Sequence, residues 1–367
     1  MTCRRRVPVS IVLAAAIAVV CLPTVLVLLL TGGGGTRSAH APATPCHACR
    51  SSTPHGPKPV LPFAATSIWN APLAAYAPID PDSATLVAAL VEQTHRFPVG
   101  LATSIGGVPI YTVPRAQPRV RVQLDESSSP LLQRAFDSVP VPPDAQPAAG
   151  PDQTAVVWQP STDTLWEFWH FRRSSDGFHA GFGGRMVDVS RSPGYYQDIG
   201  HDGTLVERSF WGAPATKVSL LGGVITIGDL ESGAINHALA VALPEVRAGV
   251  WSFPAQASDG TSTVPDAIPE GARFRLPADL DIAALKLPPL TRMMAEAAQR
   301  YGILVINSST GVAFRAQDPT PTGRDPYYEP DGRPSPLLGG YPRVLLRSFP
   351  WARLELLRMQ LHSASGA

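Results

Sequence analysis

The sequence predicts a mainly β protein, with a β-sandwich or jelly-roll-like domain and a few covering helices. Short apolar and aromatic runs alternate with turn-forming clusters along most of the chain, which is typical of antiparallel strands. The 367 residues include 39 prolines, and helix interiors do not accommodate so many. Because 44% of the residues are hydrophobic, these short elements can still enclose a sizeable core.

The chain divides by composition into consecutive segments. Residues 1–6 form a basic head, and the apolar residues 7–30 are long enough as a helix to cross a bilayer. Residues 31–62 are rich in Gly, Ala, Pro, Ser and Thr, which predicts a disordered linker. We expect the β-rich domain over residues 63–319 and a Pro/Gly-rich tail over residues 320–367.

The N-terminal segments predict where the domain is located. The arginines of the head favour a single-pass anchor in the cell membrane with the domain outside the cytoplasm, and a cleaved signal peptide with secretion is the alternative. All cysteines precede the domain; Cys46 and Cys49 predict a local disulfide, with a redox or metal role as the alternative. The formal net charge of +1 argues against a nucleic-acid partner.

Local signals predict the helices. Asp80 and Pro81 are typical of a helix start before residues 84–91. Good helix formers over residues 290–301, ended by Gly302, indicate the strongest helix. Shorter helices are expected over residues 130–136, 227–231 and 351–361.

Strands are predicted where apolar residues alternate or cluster between turns. Outside the central region they span residues 108–113, 119–124, 235–243, 248–253, 302–307 and 312–316, and the last two should pair as a hairpin. Within residues 155–189, turn clusters at 160–163 and 174–177 separate aromatic runs. This pattern predicts a β-meander whose middle strand covers residues 165–171.

Glu167 and Trp169 of the middle strand are the first functional candidates. Successive side chains of a strand point to opposite faces, so Glu167, Trp169 and Phe171 should share one face and Trp166 the other. Tryptophan rings stack on the apolar faces of sugars, and burial beside them would raise the pKa of Glu167 toward the range of an acid/base catalyst. The alternative is a carboxylate that is paired with a nearby arginine.

Asp229 and His237 form a second candidate pair. They lie on either side of Gly233, and if the chain doubles back there the carboxylate can orient the imidazole. His237 would then assist catalysis, whereas the alternative is a hydrogen-bonded core histidine.

The remaining candidates are side chains that suit sugar binding. The full set of substrate-binding candidates is Trp158, Trp166, Trp169, His179, Arg185 and Trp211. Some of these tryptophans must also supply core. His170 and His179 fall on neighbouring strands of the predicted meander, where with Glu167 or Asp188 they offer a weaker alternative, a metal site.

Several blocks of sequence between residues 66 and 319 carry a resemblance. They are WQP (158–160), WEFW (166–169), GGR (183–185), SPGYY (192–196), GAINHAL (233–239) and IPEGARF (268–274). In these blocks the chain resembles a family of exported actinobacterial β-rich proteins to which no activity is assigned. The resemblance implies a secreted or anchored domain and brings no catalytic residues.

Together these features predict a membrane-anchored extracytoplasmic protein that acts on or binds cell-envelope polysaccharide. As a glycoside hydrolase or polysaccharide lyase it would use Glu167 as acid or base, assisted by His237 and Asp229. The alternative is a non-catalytic glycan- or wall-binding module, or a structural envelope protein. The sequence leaves the cofactor requirement undefined.

Overall fold

The computed structural model describes residues 61–127, 129–197, 209–210 (backbone only) and 212–364. All of them belong to one unit, Thr53–Ala367. The predicted anchor, residues 31–60 of the predicted linker and the cysteines lie outside the described residues. Leu61, at the end of the predicted linker, is instead buried in the core. Among the residues that are described, no helix combines the length and the apolar character that crossing a membrane requires.

Strands are the main element of the fold, and the predicted mainly β class is confirmed. The strands are β1 Val99–Ala102, β2 Val108–Thr112, β3 Val122–Leu124, β4 Ala155–Gln159, β5 Thr164–Trp169, β6 Arg172–Ser174, β7 Gly177–Ala180, β8 Phe182–Val187, β9 Ser209–Phe210, β10 Leu239–Leu243, β11 Val246–Ser252, β12 Ile268–Glu270, β13 Arg273–Arg275, β14 Ile303–Ser308, β15 Val312–Arg315, β16 Gln317–Asp318, β17 Glu355–Leu356 and β18 Leu361–Ser363. The α-helices are α1 Ser83–Arg96, α2 Pro130–Ala135, α3 Ile227–Ser232, α4 Pro289–Arg300 and α5 Pro342–Leu345.

Two six-stranded sheets form the centre of the fold. The β10 sheet has the order β1-β15-β10-β14-β13-β17, and the β5 sheet has the order β16-β2-β4-β5-β8-β9. Smaller three-stranded sheets have the orders β12-β11-β18 and β3-β7-β6. Both large sheets mix parallel with antiparallel neighbours, for example β10–β14 and β10–β15. The fold is therefore less antiparallel than the sequence predicts. The short turns of the sequence are typical of antiparallel pairs, whereas parallel neighbours need long crossover connections.

The two large sheets share one buried cluster, which is the arrangement of a β-sandwich. Val156 and Leu165 of the β5 sheet lie in the same cluster as Ala240 and Leu304 of the β10 sheet. Helices α1 and α4 cover the outer face of the β10 sheet in a second cluster, and α2 with the β3-β7-β6 sheet covers the outer face of the β5 sheet in a third. The covering helices are therefore on the outside, as predicted.

Asp80 does not cap α1 in the way that the sequence predicts. The helix begins at Ser83 with Asp82 at the N-cap position. Asp80 instead accepts a hydrogen bond from the Asp82 amide at 3.0 Å and another from the Met359 amide at 2.9 Å. Its carboxylate thus joins the start of α1 to the C-terminal part of the chain.

The predicted meander is correct for its first two strands and wrong for its third. Strand β5 pairs with β4 on one side and with β8 on the other, not with the residues that directly follow it. Those residues form the β6–β7 hairpin, which joins β3 in a separate sheet. The break occurs at His170, whose φ of +53° interrupts the extended backbone. Phe171 consequently lies in the core on the Trp166 side, not beside Glu167 as alternation predicts.

The predicted last hairpin is also wrong. Strands β14 and β15 do not pair with each other, because β10 lies between them and pairs with both. A neighbouring strand that is distant in sequence leaves no local signal, whereas the turn between β14 and β15 resembles an ordinary hairpin turn.

The predicted tail, which begins at residue 320, contributes two strands to the sheets. Strand β17 pairs with β13 at the edge of the β10 sheet, and β18 pairs with β11. The terminal helix predicted over residues 351–361 is replaced by one 3-10 turn, Trp351–Arg353, and these strands. An exposed sheet edge offers unpaired backbone groups, and pairing with them outweighs the helix propensity of this segment.

We expect Leu356→Ala to destabilise the protein by about 2–5 kcal/mol, since Leu356 is fully buried and truncation leaves a cavity. The matched control is Leu361→Ala in the same tail, where the side chain is 51% exposed and the expected loss is below about 0.5 kcal/mol. Urea unfolding of both variants measures the difference. Equal small losses would show that the tail is not part of the core.

Candidate functional site

Glu167 lies inside the sandwich, with an exposed fraction of 0%. One carboxylate oxygen, Oε1, accepts hydrogen bonds from the Ser219 hydroxyl and, at 3.3 Å, from the Leu221 amide. Burial raises the pKa of this carboxyl, while those hydrogen bonds and the positive charge of Arg315 act in the opposite direction. The other oxygen, Oε2, has no hydrogen-bond partner among the described residues.

Arg315, at the end of β15 in the β10 sheet, contacts the same segment, Ser219 to Leu221, that Glu167 contacts. Its guanidinium donates to the Ser219 carbonyl at 3.2 Å, to the Leu220 carbonyl at 3.3 Å and to Asn307 Oδ1 at 3.1 Å. Burial lowers the pKa of Arg315 to about 10, so the group is charged at neutral pH. Electrostatic attraction by Glu167, then by Asp152 and Glu270, opposes this lowering, and Glu270 contributes only in its ionised form.

Glu270, the last residue of β12, is the second buried carboxyl near Arg315. Its exposed fraction is 0%, and its Oε2 accepts a hydrogen bond from the Asp259 amide at 3.0 Å. Burial, reinforced by the charge of Asp259, raises the pKa of Glu270 to about 8. We call Glu167, Ser219, Glu270, Asn307 and Arg315 the interior polar cluster.

Sequence reasoning missed four members of this cluster: Ser219, Glu270, Asn307 and Arg315. The contacts that join the two sheets link residues far apart along the chain: Ser219 and Glu167 are 52 residues apart, and Arg315 and Ser219 are 96 residues apart. No periodic pattern or spacing links such residues. The one available signal was the IPEGARF block, which contains Glu270 but assigns it no role.

Asp229 and His237 do meet, as the doubling-back at Gly233 predicts. His237 Nε2 lies 3.1 Å from Asp229 Oδ2, and both side chains are 1% exposed. Asp229 also forms a capping box with Thr226 at the start of α3, and Gly233 ends that helix in the left-handed conformation. Among the described residues no hydrogen bond joins this pair to Glu167, and all three predicted catalytic residues are buried, so none of them lines an open cleft.

The predicted tryptophans occupy different environments. Trp166 is core: it is 3% exposed and its indole nitrogen donates to the Ala135 carbonyl at 3.1 Å. Trp158 is partly buried against the cluster between the large sheets. Trp211 lies outside the described residues.

Trp169 is the candidate that reaches the surface beside polar groups. It is partly exposed, its indole nitrogen lies 3.4 Å from Asp152 Oδ1, and its ring stacks on His170 with centroids 3.4 Å apart. His170 Nδ1 lies 2.9 Å from Glu126 Oε1, and the Glu126 side chain is 51% exposed. We call Glu126, Asp152, Trp169 and His170 the Trp169 surface.

His179 and Arg185 lie away from Glu167. His179 contacts Asp125 at 3.2 Å and Asp176 at 3.1 Å, on the separate β6–β7 hairpin. Within the described residues no group of three or more His, Cys, Asp or Glu side chains is placed to hold a metal ion. Arg185 pairs across the strands with Trp166, and cross-strand partners share a face, so it is on the side of the β5 sheet opposite Glu167.

No family model, no curated protein and no solved structure matches the chain. The resemblance to exported actinobacterial proteins therefore stays a prediction.

The raised pKa of Glu270 predicts a pH dependence of stability. The unfolded chain loses this proton near the ordinary value of 4.5, whereas the folded protein keeps it to about pH 8. Between these values the unfolded state binds fewer protons, so the free energy of unfolding falls as the pH rises. In Glu270→Gln there is no proton to lose, and the slope between pH 5 and 7.5 should become less negative by up to about 1.4 kcal/mol per pH unit.

Urea unfolding at several pH values measures this slope. Glu92→Gln is the matched control, because Glu92 is exposed on α1 and the same substitution there should leave the slope unchanged. If wild type and Glu270→Gln give parallel curves, the proton is not held by Glu270.

Proposed function

We propose that the protein is an extracytoplasmic glycan-binding module, and that the Trp169 surface is its binding site. The membrane anchor and the location outside the cytoplasm are part of this proposal and rest on the N-terminal sequence. The observation that carries the proposal is that Trp169 is partly exposed beside the Asp152 carboxylate, whereas Glu167, two residues earlier on the same strand, is fully buried.

The chemistry of the Trp169 surface suits a sugar. An exposed tryptophan provides a flat apolar face for the ring carbons, and nearby carboxylates accept hydrogen bonds from hydroxyl groups. Asp152 is exposed next to the indole nitrogen, and Glu126 is exposed next to His170. An aromatic ring with a few fixed polar groups is the usual composition of a small-molecule site.

The burial of the predicted catalytic residues weighs against the hydrolase or lyase. A general acid or base must come within about 3.2 Å of the proton that it transfers. Glu167 and His237 are each 0% exposed and Asp229 is 1% exposed, so a polysaccharide chain does not reach them in this conformation. Ser219 and Leu221 already occupy Oε1 of Glu167.

The enzyme is the second candidate function, because one observation favours it. Glu167 and Glu270 are buried carboxyls with raised pKa values that interact electrostatically with one buried cation, Arg315, and such groups concentrate at catalytic sites. Catalysis would require the sandwich to open over the interior polar cluster.

We expect Trp169→Ala to weaken binding of the envelope polysaccharide by about 2 kcal/mol or more, because the stacking platform is removed. Trp251→Ala is the matched control: Trp251 is also partly exposed but lies on β11 in another sheet. Affinity electrophoresis in gels that contain the polysaccharide measures the retardation. Equal losses in both variants would remove the Trp169 surface from the proposal.

The same samples separate the module from the enzyme. Incubation of the wild type with polysaccharide should give no new reducing ends and no unsaturated sugars. If products form, the module is rejected, and their loss in Glu167→Gln at a temperature where this variant is still folded assigns the reaction to Glu167.

A further inference from the structure

A basic cleft lies between the C-terminal end of α1 and the segment that contains α5. It encloses about 500 Å³. The positively charged or ionisable side chains that line it are His95, Arg96, Arg343 and Arg347. None of the described residues that line it is acidic, although the whole chain has a formal net charge of only +1. The positive charge is therefore a local excess.

Two of these cations, Arg343 and Arg347, are not paired with any of the residues that the structure describes. Arg96 Nη1 pairs with Glu245 Oε1 at 2.9 Å, which offsets one positive charge. Arg343 and Arg347 are exposed, and within the part of the chain that the structure describes neither side chain has a hydrogen bond or an ion pair. Like charges that line one cleft without a counter-charge repel one another. An anion bound between them would reduce this electrostatic repulsion.

The backbone that carries these arginines is held in place. Leu346, between them, is fully buried, and its carbonyl accepts a hydrogen bond from the Trp351 indole at 2.9 Å. The Leu345 carbonyl accepts one from the Thr291 hydroxyl at 3.0 Å. Arg343 lies in α5 and Arg347 in the 3-10 turn Leu346–Ser348 that directly follows it, and both residues line the cleft.

We propose that this cleft binds an anionic ligand through a phosphate or carboxylate group. Guanidinium groups match the paired oxygens of both anions, and they do so better than a lysine ammonium does. Phe97 and Trp351 also line the cleft and provide an apolar wall for the organic part of the ligand. The volume falls in the range of about 300–1,000 Å³ that is typical of small-molecule sites.

The site is separate from the Trp169 surface, since the two share no residue. It adds a charged ligand to the protein and does not depend on the proposed function. The anion can be carried by a soluble sugar derivative or by a lipid headgroup, and the experiment distinguishes these sources.

The test uses the full-length protein in detergent, with glucose 1-phosphate, glucuronate and neutral glucose as soluble probes. Mixed micelles of the same detergent with phosphatidylglycerol, compared with mixed micelles containing phosphatidylcholine, are the lipid probe. The double variant Arg343→Gln/Arg347→Gln should weaken binding of at least one anionic probe by about tenfold or more, because two charged donors are lost. Binding should also weaken as salt is raised.

The control is Arg134→Gln/Arg191→Gln, which removes the same charge from exposed arginines outside the cleft. It should retain binding within about twofold of the wild type. A loss confined to the soluble probes assigns the anion to a sugar derivative, and a loss confined to phosphatidylglycerol assigns it to a headgroup. The proposal is overturned if no anionic probe binds saturably, if glucose binds equally well, or if the control loses as much affinity as the cleft variant.

Discussion

The buried guanidinium of Arg315 is the contact on which the sandwich depends. It extends from the β10 sheet and donates to the carbonyl groups of Ser219 and Leu220. Ser219 in turn donates its hydroxyl to Glu167 of the β5 sheet. A buried cation is tolerated only when its donors are satisfied and a negative charge is near. These contacts therefore hold the segment that contains Ser219 and Leu220 between the two sheets and set the distance between them.

The buried hydrogen bonds of Glu167 also determine which residue of β5 is accessible to a ligand. Glu167 points into the sandwich because its hydrogen bonds are there, and the strand continues for two residues before it ends at Trp169. The left-handed conformation of His170 then turns the chain away and sends Phe171 into the core. Trp169 is consequently the side chain on the Glu167 face that emerges next to Asp152.

Local rules predicted the parts of the structure that depend on local chemistry. Strand alternation correctly separated Glu167 from Trp166, and the glycine stop correctly brought Asp229 back to His237. The same rules failed where strands pair with segments that are distant in sequence. The insertion of β10 between β14 and β15, and the pairing of β17 with β13, leave no trace in the local pattern.

The candidate site likewise combines residues that the sequence predicts with an environment that only distant contacts determine. The sequence identified Glu167 and Trp169, but it could not tell which of them is buried, because that depends on Ser219 and Arg315. Because Glu167 is fully buried, it is a carboxyl that joins two sheets and not the acid/base candidate on an aromatic binding face that the sequence predicts.

A double-mutant cycle between Glu167→Gln and Arg315→Gln tests this role most directly. The free energies of unfolding of both single variants and the double variant are measured by urea denaturation at pH 7. Residues in one polar network should be non-additive, and we predict a coupling energy of about 1–3 kcal/mol. Additivity within about 0.5 kcal/mol would contradict the account, since Glu167 would then be independent of the cation between the sheets.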